Sequence, residues 1–216
     1  MDLLRKAKLY GGIGSILLLL NYVISIILSA IIGITGLAET IMTSLLPFLV
    51  SITGYILILI AVKFISEAIN DEAIYNNVFN AVMLFIIGPI VATIISYVFL
   101  FKYFEEFLQG PSIIYEKSPE EVLSLLFLLL LWSFVIIVII AIFFIVGSIF
   151  LRRGFYRIAE LVKVDHFRTV ALLYFIGSIL MVIFIGIIVI FIANIFMVIA
   201  FFSIREQLPH IPPTPV

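Results

Sequence analysis

The chain has no cysteine and a single tryptophan. Without thiols it forms no disulfide, builds no thiolate metal site and offers no cysteine nucleophile. Charge is also scarce. Only 12% of the 216 residues are Asp, Glu, Lys or Arg, about half the share of a soluble domain. Too few polar side chains remain to cover a soluble surface. The net charge of −1 gives no electrostatic reason to expect a nucleic-acid partner. The placement of the missing charge says more. No Asp, Glu, Lys, Arg or His falls in the middle of any long apolar run. Proton-coupled transporters, pumps and voltage sensors rely on such residues, so the sequence argues against those classes.

What is present is apolar. Hydrophobic residues make up 65% of the chain, with isoleucine abundant and 21 phenylalanines. A membrane-crossing helix needs about 20 such residues. The runs are apolar on every face, which excludes the alternating strands of a β-barrel. The expected fold class is all-α, a polytopic transmembrane helical bundle. The spans fall at about 9–35, 41–64, 77–103 and 119–151, followed by one uncharged run from Thr169 to Ile204. Ser118-Pro119-Glu120-Glu121 marks the start of the fourth span, with a capping serine, proline at the first helical position and a glutamate to close the capping box. Arg152 and Arg153 are expected to end it. Beyond them, Phe155, Ile158, Leu161 and Val162 recur at helical spacing among Arg157, Glu160 and Lys163. That pattern fits a separate interfacial helix lying in the headgroup plane, or a simple polar linker.

The last run is too long for one span. Thirty-six residues at 1.5 Å each give about 54 Å, well beyond a hydrocarbon core of roughly 30 Å. Two short spans, 168–185 and 187–204, meet near Gly186; five spans in total is the alternative. An internal repeat favours six. Ile13-Gly14-Ser15-Ile16-Leu17 recurs unchanged as Ile176-Gly177-Ser178-Ile179-Leu180. Leu59-Ile60-Ala61, with Ile65 and Glu67, is echoed by Val198-Ile199-Ala200, with Ile204 and Glu206. Residues 1–207 thus form a single transmembrane domain, and 208–216 a proline-rich tail. The first run follows Arg5, Lys6 and Lys8 as a secretory leader does, but it is too long and no A-x-A site follows. We read it as an uncleaved span.

Orientation follows from lysine and arginine. With the N-terminus inside, Arg5, Lys6, Lys8, Lys63, Arg152, Arg153, Arg157, Lys163, Arg168 and Arg205 lie on the inner side, and only Lys102 and Lys117 on the outer. Both termini are therefore expected in the cytoplasm, in a protein of the cell membrane.

Few residues stand out chemically. Gly88-Pro89 sits near the centre of the third span. Pro89 cannot donate to the carbonyl of Phe85, so a kink or break there would free a carbonyl for a polar group; the plainer reading is a structural kink packed on neighbours. Asn21 and Asn194 lie inside spans, where they either line a polar path with Gly88 and Pro89 or hydrogen-bond a neighbouring helix. Ser25, Ser29 and Gly33 fall four residues apart on one face of the first span. This is a helix–helix packing stripe, within the chain or between copies. Gly11-Gly12-Ile13-Gly14 follows no strand and lacks the Lys-Ser/Thr of a phosphate loop. Glu105, Glu106, Glu116, Glu120 and Glu121 have no regular ligand spacing, and Asp165-His166 has no nucleophile tied to it. No residue set calls for a metal, a cofactor or a catalytic centre. Trp132, deep in the fourth span, is expected to pack or hydrogen-bond within the bundle.

The opening Lys8-Leu9-Tyr10-Gly11-Gly12-Ile13-Gly14-Ser15-Ile16-Leu17, the link from Leu59-Ile60-Ala61-Val62-Lys63 to Asn77, and Ile199-Ala200-Phe201-Phe202-Ser203-Ile204 resemble an archaeal family of membrane proteins, domain-of-unknown-function family 996. The resemblance implies an archaeal multi-pass protein and supplies no catalytic residue. The leading expectation is a non-enzymatic membrane protein, either a self-associating bundle or an accessory subunit of a larger membrane complex, with lipid as its surroundings. The second is a channel or uncoupled transporter for a small or apolar solute.

Overall fold

In lipid, a backbone must satisfy its own hydrogen bonds, and the helix does so within one segment. The computed structural model describes residues 2–35, 40–108 and 119–205, and among them all regular structure is helical. Helix α1 is Asp2–Thr35, α2 Thr40–Ile69, α3 Glu72–Leu108, α4 Pro119–Val162, α5 His166–Leu180 and α6 Ile185–Phe202, with a single 3₁₀ turn at Met181–Ile183 between the last two. Each of the six is long and apolar enough to cross a membrane, α5 when counted through that 3₁₀ turn.

The helices pack as three antiparallel hairpins, α1–α2, α3–α4 and α5–α6, and α1 also lies along α6. Gly11 and Gly12 meet the rings of Phe201 and Phe202, so both ends of the described chain lie at the same end of the bundle. The buried core is concentrated there. Ala7, Ile65, Ile74, Ile158 and Phe201 are sealed from solvent, and Phe167 meets Phe155 and Phe201 edge-on at 5.3 and 5.2 Å. Toward the other end, apolar side chains such as Val98, Leu123 and Phe127 face outward, as lipid-exposed positions do.

The internal repeat is visible in the packing. Ser15 and Ser178 are both buried and each donates 2.6 Å back to the carbonyl four residues earlier. Gly14 faces the backbone oxygen of Gly54, and Gly177 that of Gly186. Ile58, Ala61 and Ile65 are buried in α2, and their echoes Met197, Ala200 and Ile204 are buried around α6.

Two expectations change. Arg152 and Arg153 do not end α4; it runs on to Val162. Arginine does not break a helix, and no proline intervenes. Phe155, Ile158 and Val162 turn inward and are buried, while Arg152 sits 5.1 Å over the Tyr156 ring. The segment is therefore not a separate interfacial helix before the last pair. It is the C-terminal end of a 44-residue helix, about 66 Å long at 1.5 Å per residue. Likewise α3 continues unbroken through Gly88-Pro89. The turn into α6 is made by Phe184 in the left-handed region, φ 63°, a conformation a bulky residue rarely adopts. Gly186 follows because a side chain there would strike the carbonyl of Gly177.

Candidate functional site

Above the packed half, five helices leave a cavity of about 260 Å³. Leu18, Asn21 and Tyr22 reach it from α1, and Pro47, Phe48, Ser51, Ile52 and Tyr55 from α2. Phe85, Ile86 and Pro89 come from α3, Phe144 from α4 and Asn194 from α6. None of these residues carries a formal charge. A second recess of about 220 Å³ lies between α3 and α4, lined by Pro89, Ala92, Thr93, Ser96, Tyr97, Ile136 and Ile140. Pro89 borders both.

Aromatic rings and one amide support the first cavity. Phe85 stacks on Tyr174 at 5.6 Å and meets Phe144 at 4.8 Å; Tyr55 lies 6.1 Å from Phe85. The fully buried Asn194 accepts a 2.6 Å hydrogen bond from the Tyr174 hydroxyl. Such a bond, between two helices in an apolar setting, fixes α5 against α6. Tyr22 leans edge-on against Phe191 at 5.6 Å. Asn21 differs from Asn194, because its Oδ1 is buried with no hydrogen-bond partner among the described residues.

Of the path candidates, Asn21, Pro89 and Asn194 meet at this cavity. Gly88 does not line it; it lets α3 approach Phe143, whose Cβ would stand 2.7 Å from any side-chain carbon placed there. Ser25 donates 2.8 Å to the Asn21 carbonyl, Ser29 is exposed, and the surroundings of Gly33 lie outside the described residues. So do Glu105, Glu106 and Glu116, and the tail from 208. Asp165 pairs with Arg168 at 3.7 Å, and His166 is exposed. Trp132 stacks on Phe99 at 3.9 Å. Sequence reasoning missed Tyr22, Tyr55 and Tyr174. Their signal was present, since a phenol inside a span needs a partner for its hydroxyl.

This geometry defines a class: a bundle of membrane-spanning type, with six helices among the described residues and a partly open cavity lined by uncharged residues between them. Residues 50–195 match the family described as Protein of unknown function (DUF996), and the chain belongs to that family. It is also 29% identical, over 205 residues and 95% of each chain, to an uncharacterized protein of the archaeon Methanocaldococcus jannaschii. No solved structure matches it.

Proposed function

We propose that the protein is a non-enzymatic, uncoupled transporter of a small uncharged solute, and that the solute rests in the cavity between α1, α2, α3, α4 and α6. The observation that carries this reading is convergence. Asn21, Pro89 and Asn194 lie far apart in sequence, yet they line one space together with Tyr22, Ser51 and Tyr55. Asn194 is held by Tyr174, but Asn21 Oδ1 has no partner among the described residues, and helix-to-helix bonding does not account for it.

Uncharged walls favour an uncharged solute, because an unpaired ion in such a site is strongly penalised. The volume is suited to a small molecule rather than a drug-sized one. The packed half beneath the cavity argues for a carrier that opens in turn to each side, rather than for a standing pore. The recess beside Pro89 extends the route along α3 and α4. In this reading both chain ends face the cytoplasm of the cell membrane, following the lysine and arginine bias.

Stopped-flow light scattering on proteoliposomes tests the proposal. Uptake of glycerol, urea or short alcohols above that of protein-free vesicles is expected, and Asn194→Leu should lower it. Equal rates with and without protein, across that set, would end the reading.

A second reading is self-association, alone or as a subunit of a larger membrane complex. It rests on the outward face of α1, where Ser29 lies exposed near Ile26 and Ile27. Cross-linking through single cysteines at position 29 tests it, and a lone monomer at every detergent concentration would exclude it.

A further inference from the structure

We infer that the cavity selects a ligand with one hydrogen-bond donor on an apolar body about the size of a ring, that is, a small alcohol or phenol. The inference rests on the reading of the cavity as a solute site and narrows what occupies it.

One acceptor at the cavity has no partner among the described residues, and a second has lost its helical donor. The first is Asn21 Oδ1, buried and without a partner. The second is the carbonyl of Phe85. Residue 89 would ordinarily supply its amide hydrogen, and Pro89 has none. Phe85 and Pro89 both line the cavity, and a helical carbonyl points along the helix toward the residue four positions on. This oxygen therefore faces the same side as the proline ring. An asparagine amide can turn over and exchange its oxygen for its nitrogen; a backbone carbonyl cannot. The Phe85 oxygen thus adds an acceptor that cannot turn over, beside the Tyr22, Ser51 and Tyr55 hydroxyls, which can accept as well as donate.

The remaining walls set the body of the ligand. Tyr22, Phe48, Tyr55, Phe85 and Phe144 surround the space with ring faces and edges. A void of about 150 Å³ lined by apolar groups already holds benzene; about 260 Å³ leaves room for a ring with one substituent. No carboxylate lines the cavity among the described residues, so they offer no counter-ion for a protonated amine. An uncharged hydroxyl is the donor that fits.

The test is binding of phenol, anisole and benzene to the purified full chain in mild detergent, read by saturation-transfer NMR and equilibrium dialysis. The three share a ring; only phenol donates. Phenol should bind at least about tenfold more tightly than anisole. Asn21→Leu should abolish most of that preference. Pro89→Ala restores the amide hydrogen to Phe85 and should lower phenol affinity about threefold to tenfold, in a variant whose helix is if anything firmer. Anisole or benzene binding as tightly as phenol would overturn the inference, as would Pro89→Ala and Asn21→Leu leaving the preference intact. Flux of other solutes with no phenol binding would overturn the ligand class and leave the transport proposal standing. Selective phenol binding without flux would support the ligand class and sink transport.

Discussion

Gly14 and Gly12 lie two residues apart in α1, and replacing each by alanine should move stability in opposite directions. A carbon added at Gly14 would stand 2.7 Å from the Gly54 carbonyl oxygen and 3.0 Å from Leu57 Cβ. That is about 0.7 Å short of the 3.4 Å at which ordinary contact begins. The obstacle is backbone, so α1 and α2 must part to admit it. A gap of 0.5–1 Å forfeits roughly a quarter to a half of each dispersion contact along the seam, and overpacking of this kind costs about 1–3 kcal/mol. Alanine returns about 1 kcal/mol in helix propensity, leaving a net loss of up to about 2 kcal/mol. A carbon at Gly12 would instead meet the far edge of the Phe202 ring at 2.6 Å. Phe202 is 44% exposed, so its ring can swing outward, and the propensity gain survives. The two variants should differ by about 2 kcal/mol. At about 2–4 °C per kcal/mol for a chain of this size, that is about 4–8 °C in Tm. Thermal unfolding in mild detergent, followed by circular dichroism, measures it. A Gly14→Ala variant as stable as Gly12→Ala would refute the close backbone approach of α1 and α2.

The Tyr174–Asn194 bond should yield a coupling of about 0.6–1.7 kcal/mol in a double-mutant cycle of Tyr174→Phe with Asn194→Leu, measured by the same unfolding assay; additive effects would mean that the bond is not made in the membrane. Asp71 pairs with Arg157 and also accepts the amide of Ala73 at 3.2 Å as α3 begins. Because Arg157 is largely exposed, Arg157→Gln should cost less than about 1 kcal/mol and fade in salt. Asp71→Ala should cost about 1 kcal/mol more through the lost cap, at any salt concentration. The cysteine-free background allows a direct orientation test. A cysteine replacing Lys117 should react with an impermeant maleimide on intact cells, and one replacing Lys163 only after permeabilisation. The reverse pattern would invert the proposed topology.

The bundle was legible because lipid imposes a simple code. Apolar runs of sufficient length become helices, and even the fold-back within Thr169–Ile204 showed in the repeated Ile-Gly-Ser-Ile-Leu. The end of α4 was not legible. Arg152 and Arg153 look like a boundary when charge alone is read, but a helix carries arginine at no backbone cost, and the inward face formed by Phe155, Ile158 and Val162 keeps it ordered. Asn21, Pro89 and Asn194 could be picked out as polar or bond-breaking groups within spans. Their meeting could not, because a cavity depends on which helix faces which, and helices apolar on every face give little periodicity to set their rotation. Gly88 illustrates the point. It adjoins Pro89 in sequence, and one helical step turns it from the cavity to Phe143.

The position of the cavity follows from where the internal repeat stops. Through Leu17 in one arm and Leu180 in the other, the residues are the same, and both arms place a glycine against partner backbone. After Leu17, α1 continues as helix, and Leu18, Asn21 and Tyr22 line the void. After Leu180 the chain tightens into the 3₁₀ turn and reverses at Phe184. The two hairpins are thus unequal. Helices α1 and α2 have 34 and 30 residues, whereas α5 and α6 have 15 and 18. At 1.5 Å per residue the first pair is about 20 Å longer. The shorter pair cannot shield the far lengths of α3 and α4, where Tyr97 and Phe127 stand exposed. Matched arms account for the packed half of the bundle, and their divergence leaves the space that Asn21 and Asn194 share.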